Sequence, residues 1–456
     1  MVNRHKIFKN IRITMYQHHK IYILSFSLPY DNPIMEVDLM KNRILTVFLI
    51  GVLVLSVAIS GCTGGETTST PEYAGKIAVV YDVGGRGDLS FNDMAYLGAS
   101  KAATEFNLEL KEVQSNAESD YLPNLRSLAQ TGEYDIIIAV GFMMTDAVTQ
   151  VADEFPDQKF AIVDGFIPDK PNVVSILFKE NEGSALIGAL AGLIAANDGK
   201  DKVGAVLGIE IPVLYKFEGG YRFGVAWAED YYKQKTGKDV NIDILYTYTG
   251  SFTDPAKGKT AAQAQLGQGA WVIYQIAGAV GLGVFDAVDE YLESQGKEMG
   301  PPFAVGVDSA QDWIKPGVII ASMMKRVDVG VYRAVEMAVK GNWQGGIMEL
   351  GLNEQGVGVS TIDAVKEMFN SLPEDTKQQK LEELKLSSEE ELFAKLEETR
   401  NQIPSWIWDA VTELEEKIKS GEVKVPMATT KDQIEAIRAA QTWQEMEELA
   451  KQWESS

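Results

Sequence analysis

Short apolar runs alternate with longer amphipathic stretches over most of this chain. The runs at 77–81, 136–140 and 160–164 are brief and rich in Ile, Val and Ala. That is the pattern of strands buried on both faces of a parallel sheet. Further strands are predicted at 108–113 and 173–178, with helices between them at 93–103, 122–131 and 145–155. The stretch 183–197, GSALIGALAGLIAAN, reads as a small-residue helix suited to close packing; it is too short and too polar at its flanks for a membrane span. A second alternation follows, with strands at 203–208, 242–248, 271–277, 303–307 and 318–323. Its helices are predicted at 219–235, 255–267, 281–294 and 327–340, and 345–352 returns as an extended segment. Strands and helices alternating at this spacing predict parallel sheets with right-handed crossovers. Two such series predict two α/β lobes, several chain crossings acting as a hinge, and a ligand cleft between them.

Beyond residue 360 the period changes. Segment 360–400 is rich in Lys, Glu and Leu at helical spacing, 404–420 is a further amphipathic helix, 423–426 looks extended, and 431–453 is a last charged helix. Their Glu-to-Lys spacings read most simply as solvated helix faces.

The N-terminal part has a different pattern. Met40 to Cys62 reads MKNRILTVFLIGVLVLSVAISGC: a basic start, an apolar run from Ile44 to Ile59, then Ser60-Gly61-Cys62. This is a secretory signal at 40–61 ending in a lipoprotein processing site, with cleavage before Cys62 and lipid on its sulfur. The alternative is an uncleaved membrane anchor; both put the body outside the cell membrane. Stable attachment then needs more than one acyl chain or an ether lipid. Residues 1–39 precede this complete signal and are read as an upstream extension from a misassigned start. Residues 62–75, rich in Gly, Thr, Ser and Pro, are read as a flexible linker.

Composition narrows the chemistry. A formal net charge of −23 argues against nucleic acid as partner, since phosphate binding needs a basic face. The three histidines, His5, His18 and His19, precede Cys62, the only cysteine. The body beyond Cys62 therefore lacks the side chains of Ser-His-Asp or Cys-His catalysis, histidine-ligated metal sites and disulfides. No catalytic residue, cofactor or metal is assigned. The first binding candidate is the loop after the first strand, where Gly84, Gly85 and Gly87 turn tightly before Asp88, Ser90 and Asn92, because ligands of open α/β sheets sit outside the carboxyl ends of the strands. Asp164 and Asp308 also follow strands, so both could face the cleft; each could instead cap the next helix.

The motifs GDLSFND with Tyr96, FPDQKFAIVDG, FEGGYRFG, GSFTDPAKGK, YQIAGAVGLGVF, VGVDSAQ and ASMMKRVD, in that order behind a lipobox, carry a family likeness. The chain resembles the basic membrane protein family of lipoproteins, which includes purine nucleoside receptors of ABC transporters. The resemblance covers roughly 76–426. It implies a type I periplasmic-binding-protein fold: α/β, two Rossmann-like lobes with a hinge, here extended by C-terminal helices. The expected boundaries are 76–182 for lobe 1 with a return at about 303–326, and 183–302 for lobe 2 with a return at about 327–359. A charged helical insertion at 360–403 and C-terminal helices at 404–456 follow. The resemblance further implies that Asp88 and Asn92 hydrogen-bond the ligand, with Ser90 beside them. Tyr96 would be one wall of a stacking slot and Phe252 the other, with Phe217 as a rival and Phe142 as a further ligand-binding candidate. Asp164, Gly278, Asp308 and Lys325 complete the set, the last two holding a ribose. The implied partners are a nucleoside ligand, an ABC permease in the membrane and the lipid bilayer through Cys62. The competing readings are a ligand sensor of the same fold and a nucleoside-processing surface enzyme.

Overall fold

A computed structural model describes residues 9–17, 20–28 and 74–455. The expected signal peptide, Cys62 and nearly all of the linker lie outside the described residues, as does most of 1–39. Within that N-terminal part, strands β1 (Lys9–Gln17) and β2 (Lys20–Leu28) pair antiparallel. They belong to a unit separate from the body, which begins at Tyr73.

In the body, the expected alternation builds two six-stranded sheets. The first is ordered β13-β7-β6-β5-β3-β4, from β3 (Gly75–Tyr81), β4 (Leu108–Gln114), β5 (Ile136–Val140), β6 (Phe160–Val163), β7 (Val173–Phe178) and β13 (Gly346–Leu350). The second is ordered β14-β12-β11-β10-β8-β9, from β8 (Lys202–Leu207), β9 (Asp243–Tyr248), β10 (Val272–Ile276), β11 (Phe303–Asp308), β12 (Ile319–Lys325) and β14 (Val357–Val359). Every pairing is parallel except β12 with β14. The apolar run at 77–81 and all of β5, β6 and β10 are buried, as strands covered by helices on both faces must be.

Helices α1 (Phe91–Glu105), α2 (Tyr121–Thr131) and α3 (Thr145–Glu154) cover the first sheet. Helix α4 (Glu180–Asn197) then leads into the second sheet and packs on α5 (Pro212–Thr236). The small residues there are a packing requirement: a Cβ on Gly188 would lie 2.2 Å from the Tyr221 carbonyl oxygen, and one on Gly224 2.0 Å from that of Ala185. The expectation that 183–197 is buried core rather than a membrane span holds. Among the described residues no helix is long and apolar enough to cross a membrane. Helices α6 (Pro255–Gly267) and α7 (Val280–Ser294) complete this series.

The late segments belong to the opposite lobes from those expected. β11 and β12 extend the second sheet beside β10, so 303–325 is not a return to lobe 1. Helix α8 (Val327–Val339) packs on α1, and β13 completes the first sheet. β14 then returns to the second sheet. The reason is topological: successive right-handed βα units keep adding to one sheet, and each series leaves its sheet only after its fifth strand, β7 or β12. The chain thus passes between lobes near 179, near 326 and at 351–356.

Segment 360–403 is helical, as expected, and forms three helices: α9 (Ile362–Asn370), α10 (Glu374–Glu383) and α11 (Glu389–Asn401). Phe369 sits edge-on to Trp313 of lobe 2 at 5.6 Å. Helices α12 (Ser405–Lys419), α13 (Lys431–Ala439) and α14 (Trp443–Glu454) follow, packing on α4 and α5.

Candidate ligand-binding site

A cavity with about 70 Å³ of space for water-sized groups opens where the carboxyl ends of both sheets face each other. Lobe 1 contributes the turn between β3 and α1. Asp88 accepts hydrogen bonds from the backbone N–H groups of Ser90 (2.9 Å), Asn92 (2.9 Å) and Asp93 (3.2 Å), so much of its acceptor capacity caps the start of α1. Burial, and then the neighbouring Asp93, nonetheless pushes its carboxyl up to about 7. The Asn92 amide donates to Asp82 (3.0 Å) and Asp88 (3.2 Å), while its Oδ1 is buried without a hydrogen-bond partner. Asp82 itself is buried, and burial raises its carboxyl.

The two strand-end aspartates occupy matching places, Asp164 directly after β6 and Asp308 closing β11, each the fourth strand of its series. Both hold positive φ, 69° and 63°, which aspartate tolerates better than most residues and which recurs at functional sites. Lys325, at the end of β12, reaches Asp164 Oδ2 at 2.7 Å and Glu180 Oε1 at 2.9 Å. Lys216 reaches the other Glu180 oxygen at 3.2 Å. Lys325 is 1 % exposed and Glu180 fully buried; a buried set like this holds only because each charge has a partner. Burial opposes the charge on Lys325, but Asp164, Glu180 and Asp308 outweigh it and raise its pKa. Burial also raises Asp164, against the pull of Lys325. It lifts Asp308 to about 6, with Lys325 and the Ser90 hydroxyl pulling down. Asp164 Oδ1 has no hydrogen-bond partner.

The walls are flat and apolar. Phe91, Phe142, Phe217 and Phe252 line the cavity with Ile211, Leu214 and Ile276. Phe91 and Phe217 place their ring centroids 5.2 and 5.5 Å from the Lys325 ammonium, in cation–π range. Phe252 packs over Gly208, where a Cβ would lie 2.1 Å from its ring. Four carboxylates, Asp82, Asp88, Asp164 and Asp308, share this lining with one ammonium. The chemistry this offers is stacking for a flat ring and acceptors for a ligand's hydroxyl or N–H groups; it repels anions.

Of the residues singled out from sequence, Asp88, Asn92, Phe142, Asp164, Phe217, Phe252, Gly278, Asp308 and Lys325 are brought together around this cavity. Gly278 holds φ +55 in the lining. Ser90 stands behind the lining, donating to Asp308 Oδ2 at 2.7 Å. Tyr96 does not line the cavity: it lies under the Arg86 guanidinium, 3.4 Å from its ring centroid, and Arg86 is in turn tied to Asp93 and Glu112 at 2.7 Å. Phe91, at the first position of α1, stands where Tyr96 was expected. Asp82 and Phe91 in the lining, and Glu180 and Lys216 in the ion network, are among the residues that sequence reasoning missed. Asp82 follows β3 as Asp164 follows β6, so the strand-end rule already contained it.

Residues 75–395 match the Bmp family, described as PnrA-like ABC transporter substrate-binding proteins. The chain is 43% identical over 401 residues to an uncharacterized lipoprotein of Pyrococcus abyssi, covering 87% of this chain and 95% of the relative. It is 33% identical over 354 residues to the ABC transporter nucleoside-binding protein BmpA of Lactococcus lactis subsp. cremoris, covering 73% and 95%. A crystal structure of an ABC transporter solute-binding protein from Aeropyrum pernix K1 superposes with a TM-score of 0.72 at 36% identity, covering 82% of this chain and 99% of that one.

Proposed function

The chain belongs to the Bmp family of PnrA-like ABC transporter substrate-binding proteins, and on that premise we propose that its cleft captures a purine nucleoside. The protein is held outside the membrane by lipid on Cys62 and delivers the nucleoside to an ABC permease. The observation that carries the reading is the lining itself: four phenylalanines beside buried acceptors, two of which, Asn92 Oδ1 and Asp164 Oδ1, lack any partner. A purine supplies flat faces for the rings, and a ribose supplies vicinal hydroxyls that ionised carboxylates accept in charge-assisted bonds. The same carboxylates reject a phosphate, so the substrate is a nucleoside rather than a nucleotide. The lactococcal relative's name agrees with this choice. Capture is hinge closure, in which ligand free energy favours the state where both lobes touch the bound molecule.

A melting-temperature panel tests the ligand. Adenosine, guanosine and inosine at about 100-fold above Kd should each add about 2.7 kcal/mol of apparent stability, with no shift from AMP or free ribose. Stabilisation by a sugar and by no nucleoside would overturn the reading. Membrane fractionation tests the anchor: Cys62→Ser should move the protein out of the membrane fraction, and its retention there would reject lipidation at that sulfur.

A further inference from the structure

The lobes touch directly at one side of the cleft, where Leu89, Ser90 and Gln311 stand outside the cavity lining and Asp308 belongs to it. Leu89, at φ +52, packs against the apolar cluster of lobe 2, which includes Trp313, Ile314 and Phe369 among its members. Its carbonyl accepts from Gln311 Nε2 at 2.9 Å. The next residue, Ser90, donates to Asp308. Gln311 is fully buried and held rigidly: its Oε1 accepts from Gln275 at 2.7 Å and from the Val307 N–H at 2.9 Å, and its own N–H donates to Ser322 Oγ at 3.0 Å. Ser322 in turn donates to Asp312 at 2.7 Å. Asp312, 1 % exposed, is clasped by both ends of segment 360–403. Ser360 Oγ lies 3.0 Å from its Oδ1, and Arg400 Nη2 donates to its Oδ2 at 2.9 Å and to the Ser360 carbonyl at 2.7 Å.

We propose that Leu89 and Ser90 form a latch that engages Gln311 and Asp308 when the lobes close, and that Arg400 braces the latch from segment 360–403. The segment's helices then have a task beyond covering lobe 2: they set how long a captured ligand stays. Leu89, Gln311 and Arg400 are positioning residues, acting on the ligand through closure and not by contact. The latch rests on the nucleoside-capture reading, because its contacts join the two lobes that a captured ligand would draw together.

Rapid-mixing kinetics with inosine tests it on the full body of the protein. In Leu89→Ala the apolar contact is gone. Gln311→Glu keeps the acceptor for Gln275 and Val307 but sets an oxygen against the Leu89 carbonyl. Each should raise the dissociation rate roughly fivefold to fiftyfold with association within about twofold of wild type. Arg400→Gln should raise dissociation in the same direction. Wild-type dissociation in both Leu89→Ala and Gln311→Glu would overturn the latch while leaving nucleoside capture standing. An Arg400→Gln that lowers only the melting temperature would overturn the brace. A wild-type protein that binds neither inosine nor adenosine nor guanosine would overturn capture and the latch together.

Discussion

Phe91 and Tyr96 lie on one helix, yet only Phe91 meets the cavity. At 3.6 residues per turn, five steps carry a side chain about 140° around the axis, so two aromatics at this spacing cannot share a face. Phe91→Ala should weaken nucleoside binding by about 1–3 kcal/mol, the usual worth of a stacked base. Tyr96→Ala should change it less than about threefold, because Tyr96 supports Arg86 and not the ligand. Titration calorimetry on both variants decides, and a larger loss for Tyr96 would return the wall to it. The polar half of the site was legible because Asp164 and Asp308 end strands, and strand ends in open α/β sheets face ligands. The aromatic half was less so, since a phenylalanine at a helix start reads equally as core.

Helix α5 shows how one element serves the site and the tail together. Consecutive residues point three ways: Lys216 to Glu180 at the hinge, Phe217 into the cavity, and Glu218 to the C-terminal helices. Glu218 is 2 % exposed and accepts from Arg438 Nε at 2.8 Å and Nη2 at 2.7 Å, from Arg222 at 2.8 Å and from Tyr248 at 2.8 Å. Burial opposes its charge, but the Arg438 and Arg222 bonds prevail and hold its carboxyl below the ordinary range. Arg438→Ala should therefore cost about 3 kcal/mol, the lower end for breaking a buried pair, since Arg222 remains. A depressed carboxyl contributes stability above its unfolded pKa and loses it as pH falls through the folded one. The deficit of Arg438→Ala, read from urea unfolding, should thus shrink at acid pH. An undiminished deficit would place the effect in packing instead. The sequence reading started α5 at 219 although Pro212 suits a first helical turn. It also ran 431–453 as one helix, although Thr442 three residues before Glu445 marks a fresh start; Thr442 Oγ1 does accept from the Glu445 N–H at 3.2 Å.

For the molecule as a whole, binding as proposed should be coupled to protons. Burial pushes the Asp308 carboxyl up to about 6 and that of Asp88 up to about 7, against roughly 3.9 for a free aspartate. Between those limits the folded chain keeps protons that the unfolded chain has lost, so the contribution of these two groups to stability falls as pH rises from about 4 to about 7. A ribose donating to Asp308 favours its ionised form. Binding should then release protons, and affinity should rise roughly fivefold to tenfold between about pH 5 and pH 7.5. Calorimetry in two buffers of different ionisation heat measures this directly, and a flat profile would show that the ligand leaves Asp308 alone. The two-lobe plan was legible because strand and helix periods alternate twice. The lobe to which each late strand belongs was not, because a β-branched run says that it will join a parallel sheet and not which one. That late exchange also orders events in time. The edge of β7 waits for β13, whose last residue is Leu350, so the earliest lobe to leave the ribosome is among the last to be finished. Neither half of the molecule can be cut out as one continuous piece and be whole.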